Sequence, residues 1–127
     1  MSRGPPPRSA IDAALKIALA RGFVTCSKRG RGSVCDFIIH IAGYTAVILV
    51  LRSRRLHGSL AEMEAQAAEA IARLRLVPED PCRSRELWAC SPHGVLRFFR
   101  VLNNGLIELD RDGKPFGSTG NMPGVPG

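Results

Sequence analysis

Asp36 and Arg52 are the residues whose types and positions could do chemistry, because Asp36 begins one apolar run and Arg52 follows another. A carboxylate can hold a metal ion or exchange a proton, whereas a guanidinium keeps its proton and can only bind and stabilise negative charge. Further cations lie among glycines in residues 27–33 and directly after Arg52, where side chains and backbone N–H groups can hold phosphate. The predicted nucleic-acid-binding residues are Lys28, Arg29, Arg31, Arg52, Arg54 and Arg55.

Each of these features also has a structural interpretation. Asp36 can cap the loop that precedes a strand. The cations can form solvated loops that keep the protein soluble. We assign no metal to the three scattered histidines, and we interpret the four cysteines as reduced core residues, because their spacings match neither a zinc ribbon nor a redox pair.

Length and charge narrow the class of protein. The chain has 127 residues, of which 45% are hydrophobic, and this favours one soluble domain with a real core. The net charge is +7, and residues 1–60 hold ten cations against two acids. A basic half of this kind indicates a polyanionic partner.

The first half of the chain predicts one helix and three strands. Three consecutive prolines predict an extended arm over residues 1–8, and helical spacing predicts a helix over about 10–21, with Ser9 and Asp12 as a capping box. A short strand is predicted over 23–26. Two β-branched runs over 34–41 and 44–51 flank Ala42-Gly43, which predicts a hairpin, and the second run is apolar throughout, as in a central strand.

The second half predicts one long helix and three strands. Ser59 and Glu62 form a capping box for a helix that ends before Pro78. Strands follow over 86–90, 95–102 and 106–109, and the Gly- and Pro-rich residues 113–127 predict a disordered tail. The order α-β-β-β-α-β-β-β predicts an α/β fold with a mixed central sheet flanked by helices, in a single domain over 9–112.

The chain shows no secretory signal, and its longest apolar run, over residues 37–51, is shorter than a membrane-spanning helix requires. We therefore expect a cytoplasmic protein with no membrane partner.

The order of motifs resembles the PD-(D/E)XK nuclease superfamily, with the archaeal Holliday-junction resolvases and restriction-endonuclease-like proteins as the most similar group. A helix ends in Arg21-Gly22-Phe23, a basic loop follows, Asp36 opens a strand, and a buried strand ends in a cation before a helix. The resemblance spans about residues 9–102. It implies a restriction-endonuclease-like fold, a DNA substrate and pairing into a homodimer.

The family's metal site maps onto this chain with one departure. The resemblance implies that Asp36 is the first metal ligand and that Arg52 takes the place of the family's lysine, which puts Val50 where the metal-binding glutamate belongs. Valine offers no ligand for Mg²⁺, a cation that prefers oxygen. Some members carry this acid on the following helix, where Glu64 and Glu69 are candidates, whereas Glu62 is better explained by the capping box.

Three functions follow in order of preference. The first is a nucleic-acid-binding protein, with DNA favoured, on a nuclease-like fold that lacks the usual catalysis and needs no cofactor. The second is an active endonuclease in which Asp36, Glu64 and Arg52 are catalytic and Asp36 holds Mg²⁺. The third is a protein-interaction module.

Overall fold

A computed structural model describes residues 7–26, 35–53, 58–92 and 94–115 of the chain. Within these ranges, six strands form one sheet, in which each strand lies beside its neighbours in sequence, and three helices accompany them. The elements are α1 (Pro7–Arg21), β1 (Phe23–Cys26), β2 (Phe37–Ile41), β3 (Tyr44–Arg52), α2 (Leu60–Gln66), α3 (Ala68–Leu74), β4 (Arg83–Cys90), β5 (Leu96–Leu102) and β6 (Gly105–Leu109).

The sheet is mixed, as predicted. β3 and β4 are parallel, and the other four neighbouring pairs are antiparallel. Parallel neighbours need a crossover connection, and α2 and α3 supply it between β3 and β4. The α/β class predicted from the sequence is therefore confirmed.

The helices cover opposite faces of the sheet. Ala14 and Ala18 of α1 share an apolar cluster with Ile48 and Trp88. Met63, Ile71 and Leu74 of α2 and α3 share a second cluster with side chains on the other face, such as Leu87. Because strand side chains alternate between faces, β3 is buried at five consecutive positions, 46–50. This confirms the prediction of a central strand, and it explains why that stretch shows no alternation.

The first helix is longer than the sequence predicts. α1 begins at Pro7, three residues earlier than expected, because proline is well tolerated in the first turn of a helix, where its missing N–H has no partner. Ser9 therefore lies inside the helix, and the predicted capping box with Asp12 is wrong. Residues 1–6 of the predicted arm lie outside the described residues.

The crossover contains two helical segments where the sequence predicts one helix. Its N-terminal capping box is confirmed, since Glu62 N–H donates to Ser59 Oγ at 3.1 Å and Ser59 N–H donates to Glu62 Oε1 at 2.8 Å. Ala67, with φ −105° and ψ 23°, leaves the helical conformation and separates α2 from α3. The buried side still keeps its hydrogen bonds, because Ala67 N–H donates to Met63 O and Ile71 N–H donates to Ala67 O, each at 2.9 Å.

Strand boundaries move where polar residues join the sheet. β4 begins at Arg83, three residues before the predicted start, because Ser84 and Arg85 are buried despite their polarity.

At the end of the described chain, Gly113 is buried and Pro115 pairs with Leu109, so the first residues of the predicted tail pack on the domain. A Cβ at Gly113 would collide with the Arg21 guanidinium, and its φ of +88° also favours glycine. Residues 116–127 lie outside the described residues.

The two ends of the sheet are far apart. The pairing registers bring together Cys26, Phe37, Arg52 and Cys90 at one end, which we call the Asp36 end. They bring together Tyr44, Arg83 and Leu102 at the other, which we call the Tyr44 end. β3 has nine residues, and at ~3.3 Å per residue the two ends are separated by about 26 Å. None of the helices in the described ranges is long and apolar enough to cross a membrane.

Candidate functional site

Asp36 is buried at the junction of β2 and β3. Its Oδ2 accepts a hydrogen bond from Val50 N–H at 2.7 Å, and its own N–H donates to Ile48 O at 2.7 Å. The side chain therefore extends the hydrogen-bond ladder between the two strands past the end of β2. Asp36 and Val50, the two positions matched to the family's metal ligands, are thus adjacent in space.

The Val50 side chain belongs to the core rather than to a metal site. It is 7% exposed and lies in the same apolar cluster as Trp88 and Cys90. An alkyl group in this place offers no oxygen ligand. Among the described residues, no group of three or more His, Cys, Asp or Glu side chains is arranged to hold a metal ion.

Arg52 is exposed at the Asp36 end, where β3 and β4 both finish. It lies opposite Cys90 in the pairing register. Burial raises the pKa of the Cys90 thiol above its ordinary value, and the positive charge of Arg52 opposes part of this rise. Cys90 is therefore a neutral thiol at neutral pH, and Arg52 is the charged group available to a ligand at this point.

Two polar residues that sequence analysis missed fix the backbone beside Arg52. Ser53 N–H donates to Cys90 O at 2.8 Å, and Gln66 Nε2 donates to Ser53 Oγ. Ser53 is buried, so the crossover helix is tied to the end of β3 directly after Arg52. No sequence signal links a serine and a glutamine that lie 13 positions apart.

Glu64 contacts a different part of the molecule from Asp36. Its Oε2 lies 3.7 Å from Arg75 Nη2, and Arg75 Nε donates to Leu102 O, at the Tyr44 end, at 2.8 Å. The Glu64 side chain is 42% exposed. This ion pair with Arg75 is therefore typical of a solvated residue on the surface of a helix.

The other predicted nucleic-acid-binding residues, Lys28, Arg29, Arg31, Arg54 and Arg55, lie outside the described residues. The described residues next to their segments are Cys26 and Cys35 on one side, and Ser53 and Gly58 on the other. Cys26, at the end of β1, and Ser53, just after β3, both lie at the Asp36 end. Both cation-rich segments are therefore joined to the sheet at this end.

Glu86 forms a buried ion pair that sequence analysis did not anticipate. It is fully buried on β4, and its two carboxylate oxygens each accept from a terminal nitrogen of Arg21 at 3.0 Å. Trp88 Nε1 donates to Oε1 at 2.9 Å and Ser84 Oγ donates to Oε2 at 3.2 Å, so every oxygen has two donors. Such complete pairing is what makes a buried carboxylate tolerable.

Arg21 is held from several sides. Burial by itself lowers the pKa of its guanidinium, but the hydrogen bonds and charge of Glu86, with a contribution from the Tyr44 hydroxyl, raise that pKa above its ordinary value. The guanidinium also lies 5.5 Å from the Trp88 ring centroid, as in a cation–π contact. This cluster stabilises the join between α1 and β4, and both of its charges are already paired.

The outcome of the cysteine prediction is mixed, and three aromatic residues of the late strands belong to the core. Trp88, Phe98 and Phe99 are buried. Cys35 and Cys90 are buried in the core, as predicted, whereas Cys82 is exposed in the loop before β4.

Comparison of the chain with models of known protein families, with curated proteins and with solved structures gives no significant match.

Proposed function

We propose that this protein binds nucleic acid through its phosphate backbone at the Asp36 end of a PD-(D/E)XK nuclease-like domain, without the family's usual metal-dependent cleavage. One observation carries the proposal. Arg52 is exposed at the end of a central strand, at the same end of the sheet as the places where both cation-rich segments (residues 27–34 and 54–57) join it, and Val50 takes the position of the missing glutamate.

The topology supports a nuclease-like fold. A helix precedes three antiparallel strands, and a helical crossover then leads to a fourth strand parallel to the third. α1 and the crossover helices lie on opposite faces. This is the arrangement that the resemblance implies for residues 9–102, with Asp36 and Arg52 at the same end of the sheet.

The chemistry at the Asp36 end favours binding over cleavage. One Asp36 oxygen already accepts from Val50 N–H, and the Val50 side chain is an alkyl group in the core. The guanidinium of an arginine such as Arg52 can neutralise a phosphate but is unsuited to act as a general base. An excess of cations over acids in residues 1–60 supplies the long-range attraction to a polyanion.

Fluorescence anisotropy with duplex, single-stranded and branched DNA tests the proposal. We expect micromolar binding at 50 mM salt that weakens steeply as salt rises, because phosphate contacts release counterions. The double variant Arg52→Ala/Arg54→Ala should bind more weakly and reduce the salt slope by about 2, at roughly 0.9 per lost phosphate contact.

The matched control is Lys16→Ala/Arg73→Ala, which removes the same charge from two exposed positions on α1 and α3. We expect it to bind nearly as the wild type does. Absence of binding at 50 mM salt, or equal weakening in both variants, would overturn the proposal and leave the protein-interaction module as the alternative.

Cleavage assays separate binding from nuclease activity. Labelled DNA is incubated with Mg²⁺ or Mn²⁺ and with wild-type protein or Asp36→Asn, which keeps an oxygen acceptor for Val50 N–H but loses the charge. We expect no cleavage by either protein. Cleavage by the wild type that disappears in Asp36→Asn would establish a metal-dependent nuclease and contradict the loss of catalysis.

A further inference from the structure

A cavity of about 750 Å³ opens at the Tyr44 end of the sheet, far from Arg52. Its size falls in the range of small-molecule sites. Its walls come from the start of β3, the loop before β4, the first residues of β4, the end of β5 and residues 113–115. Its charged lining residues are Arg83, Arg85, Arg100, Lys114, Glu79 and Asp80.

Arg85 contributes a fixed positive charge near this cavity, although its side chain lies on the sheet face opposite that of Arg100. Leu87, two residues from Arg85, and Phe98, two residues from Arg100, belong to the apolar clusters of different faces.

Arg85 is 2% exposed, and its guanidinium donates only to neutral acceptors, at 2.8 Å to Val77 O, at 3.0 and 3.1 Å to Val101 O, and at 3.1 Å to Asn103 Oδ1. No carboxylate among the described residues lies within ion-pair distance of it. A buried charge without a counterion acts over a longer distance than a solvated one, because the surrounding dielectric is low.

Arg100 is the group that can clamp an anion. Its Nε donates to Ser84 Oγ at 3.2 Å, and Ser84 Oγ in turn donates to Glu86, whose oxygens are paired with Arg21. The two terminal nitrogens of Arg100 donate no hydrogen bond to any described residue. A guanidinium positioned through Nε, with both terminal nitrogens available, matches the geometry of bidentate phosphate binding.

The two acids of the lining do not cancel this charge. Glu79 and Asp80 are exposed, Glu79 Oε1 accepts from Asn103 Nδ2 at 2.7 Å, and Asp80 Oδ1 accepts from Cys82 N–H at 2.8 Å. Four cations therefore face two acids in the lining, and none of the four forms an ion pair with a carboxylate of the described residues. Lys114 adds an exposed ammonium at the rim.

We infer that this cavity is a second anion site, which binds a phosphate monoester through Arg100, with Arg85 supplying the field and Lys114 a flexible contact. A phosphate monoester carries up to two negative charges and three acceptor oxygens, which matches this set of cations. The group can belong to a free nucleotide or to the 5′-phosphate end of a nucleic-acid strand. The site does not depend on nucleic-acid binding at the Asp36 end.

Isothermal titration calorimetry with AMP and adenosine tests the need for the phosphate. We expect AMP to bind and adenosine to bind at least about tenfold more weakly, since the charged contacts are lost. Oligonucleotides with and without a 5′-phosphate form the second arm. Preference for the phosphorylated strand over AMP would identify a strand end as the ligand, and preference for AMP a free nucleotide.

Arg100→Gln should weaken AMP binding about tenfold or more, whereas Arg73→Gln, an exposed cation on α3, should leave it unchanged. Urea unfolding of Arg100→Gln shows whether the domain is folded, and Lys114→Gln, at an exposed position, gives a weaker, few-fold loss without risk to the fold. The inference is overturned if AMP and adenosine bind equally or if Arg100→Gln binds as the wild type does. It is also overturned if only Arg52→Ala/Arg54→Ala abolishes AMP binding, since that would place the phosphate at the Asp36 end.

Discussion

At the residue scale, the two carboxylates buried in the sheet show how similar groups acquire different environments. Asp36 satisfies a backbone N–H of the neighbouring strand, and Glu86 pairs with Arg21, 65 positions away. Asp36 carries a signal in the sequence, because it begins an apolar run and has basic residues near it in the chain. Glu86 carries no such signal, since its partner comes from the last turn of α1 and only the packing of α1 against the sheet brings the two together.

The buried ion pair predicts a large stability difference between two matched variants. Glu86→Gln leaves the Arg21 charge buried without its counterion, and we expect a loss of about 3–5 kcal/mol in the free energy of unfolding. Glu108→Gln breaks the more exposed pair with Arg97 and should cost about 0–1 kcal/mol. Urea unfolding monitored by Trp88 fluorescence measures both, and equal losses would contradict the structural role of Glu86.

At the element scale, apolar pattern and turn chemistry predict the strands well. The apolar run over residues 44–51 predicts a central strand and forms β3, and Gly43 adopts the positive φ, +90°, of the predicted turn before it. The predicted strand boundaries are wrong where tertiary contacts decide them. Arg83 and Ser84 are polar, so nothing in the sequence indicates that a buried strand begins there. No Gly or Pro in the sequence marks the interruption of the crossover helix at Ala67.

Packing of α1 against the sheet predicts the effect of two Gly→Ala substitutions. A Cβ at Gly22 would lie 2.6 Å from His40 O, a backbone atom that cannot move without displacing β2, so Gly22→Ala should cost about 1–3 kcal/mol. Gly105→Ala meets no atom within 4 Å and serves as the control, with a change of about 0.5 kcal/mol or less. Thermal unfolding distinguishes them, and equal stability of the two variants would refute the close approach at Gly22.

At the scale of the whole molecule, the sheet separates two groups of cations. Arg52 and the attachment points of both cation-rich segments lie at the Asp36 end, and Arg83, Arg85 and Arg100 line a cavity at the Tyr44 end. The division between a basic first half and a nearly neutral second half of the chain therefore does not describe the folded surface. The second half is nearly neutral in sum, but four of its cations line the cavity together with only two of its acids.

The layered architecture predicts a gradient of local stability across the sheet. β3 lies between β2 and β4 and is buried on both faces, whereas β1 pairs on one side only among the described residues and has Phe23 70% exposed. Amide hydrogen exchange followed by mass spectrometry should show residues 46–50 among the slowest to exchange and residues 23–26 among the fastest of the strands. Faster exchange in β3 than in β1 would contradict this order.

Local patterns in the sequence are sufficient to predict the α/β class, the central strand and the hairpin turns, and the order of residues places Asp36, Val50 and Arg52 along the chain. These follow from local rules of periodicity, propensity and capping that act within a few residues. Only the folded arrangement shows that Asp36 bonds to Val50 N–H, that Arg21 neutralises Glu86, and that Arg85 and Arg100, from opposite faces of the sheet, line one cavity. Such contacts join residues far apart in the chain, so they exist only once burial of both sheet faces has fixed the register of every strand.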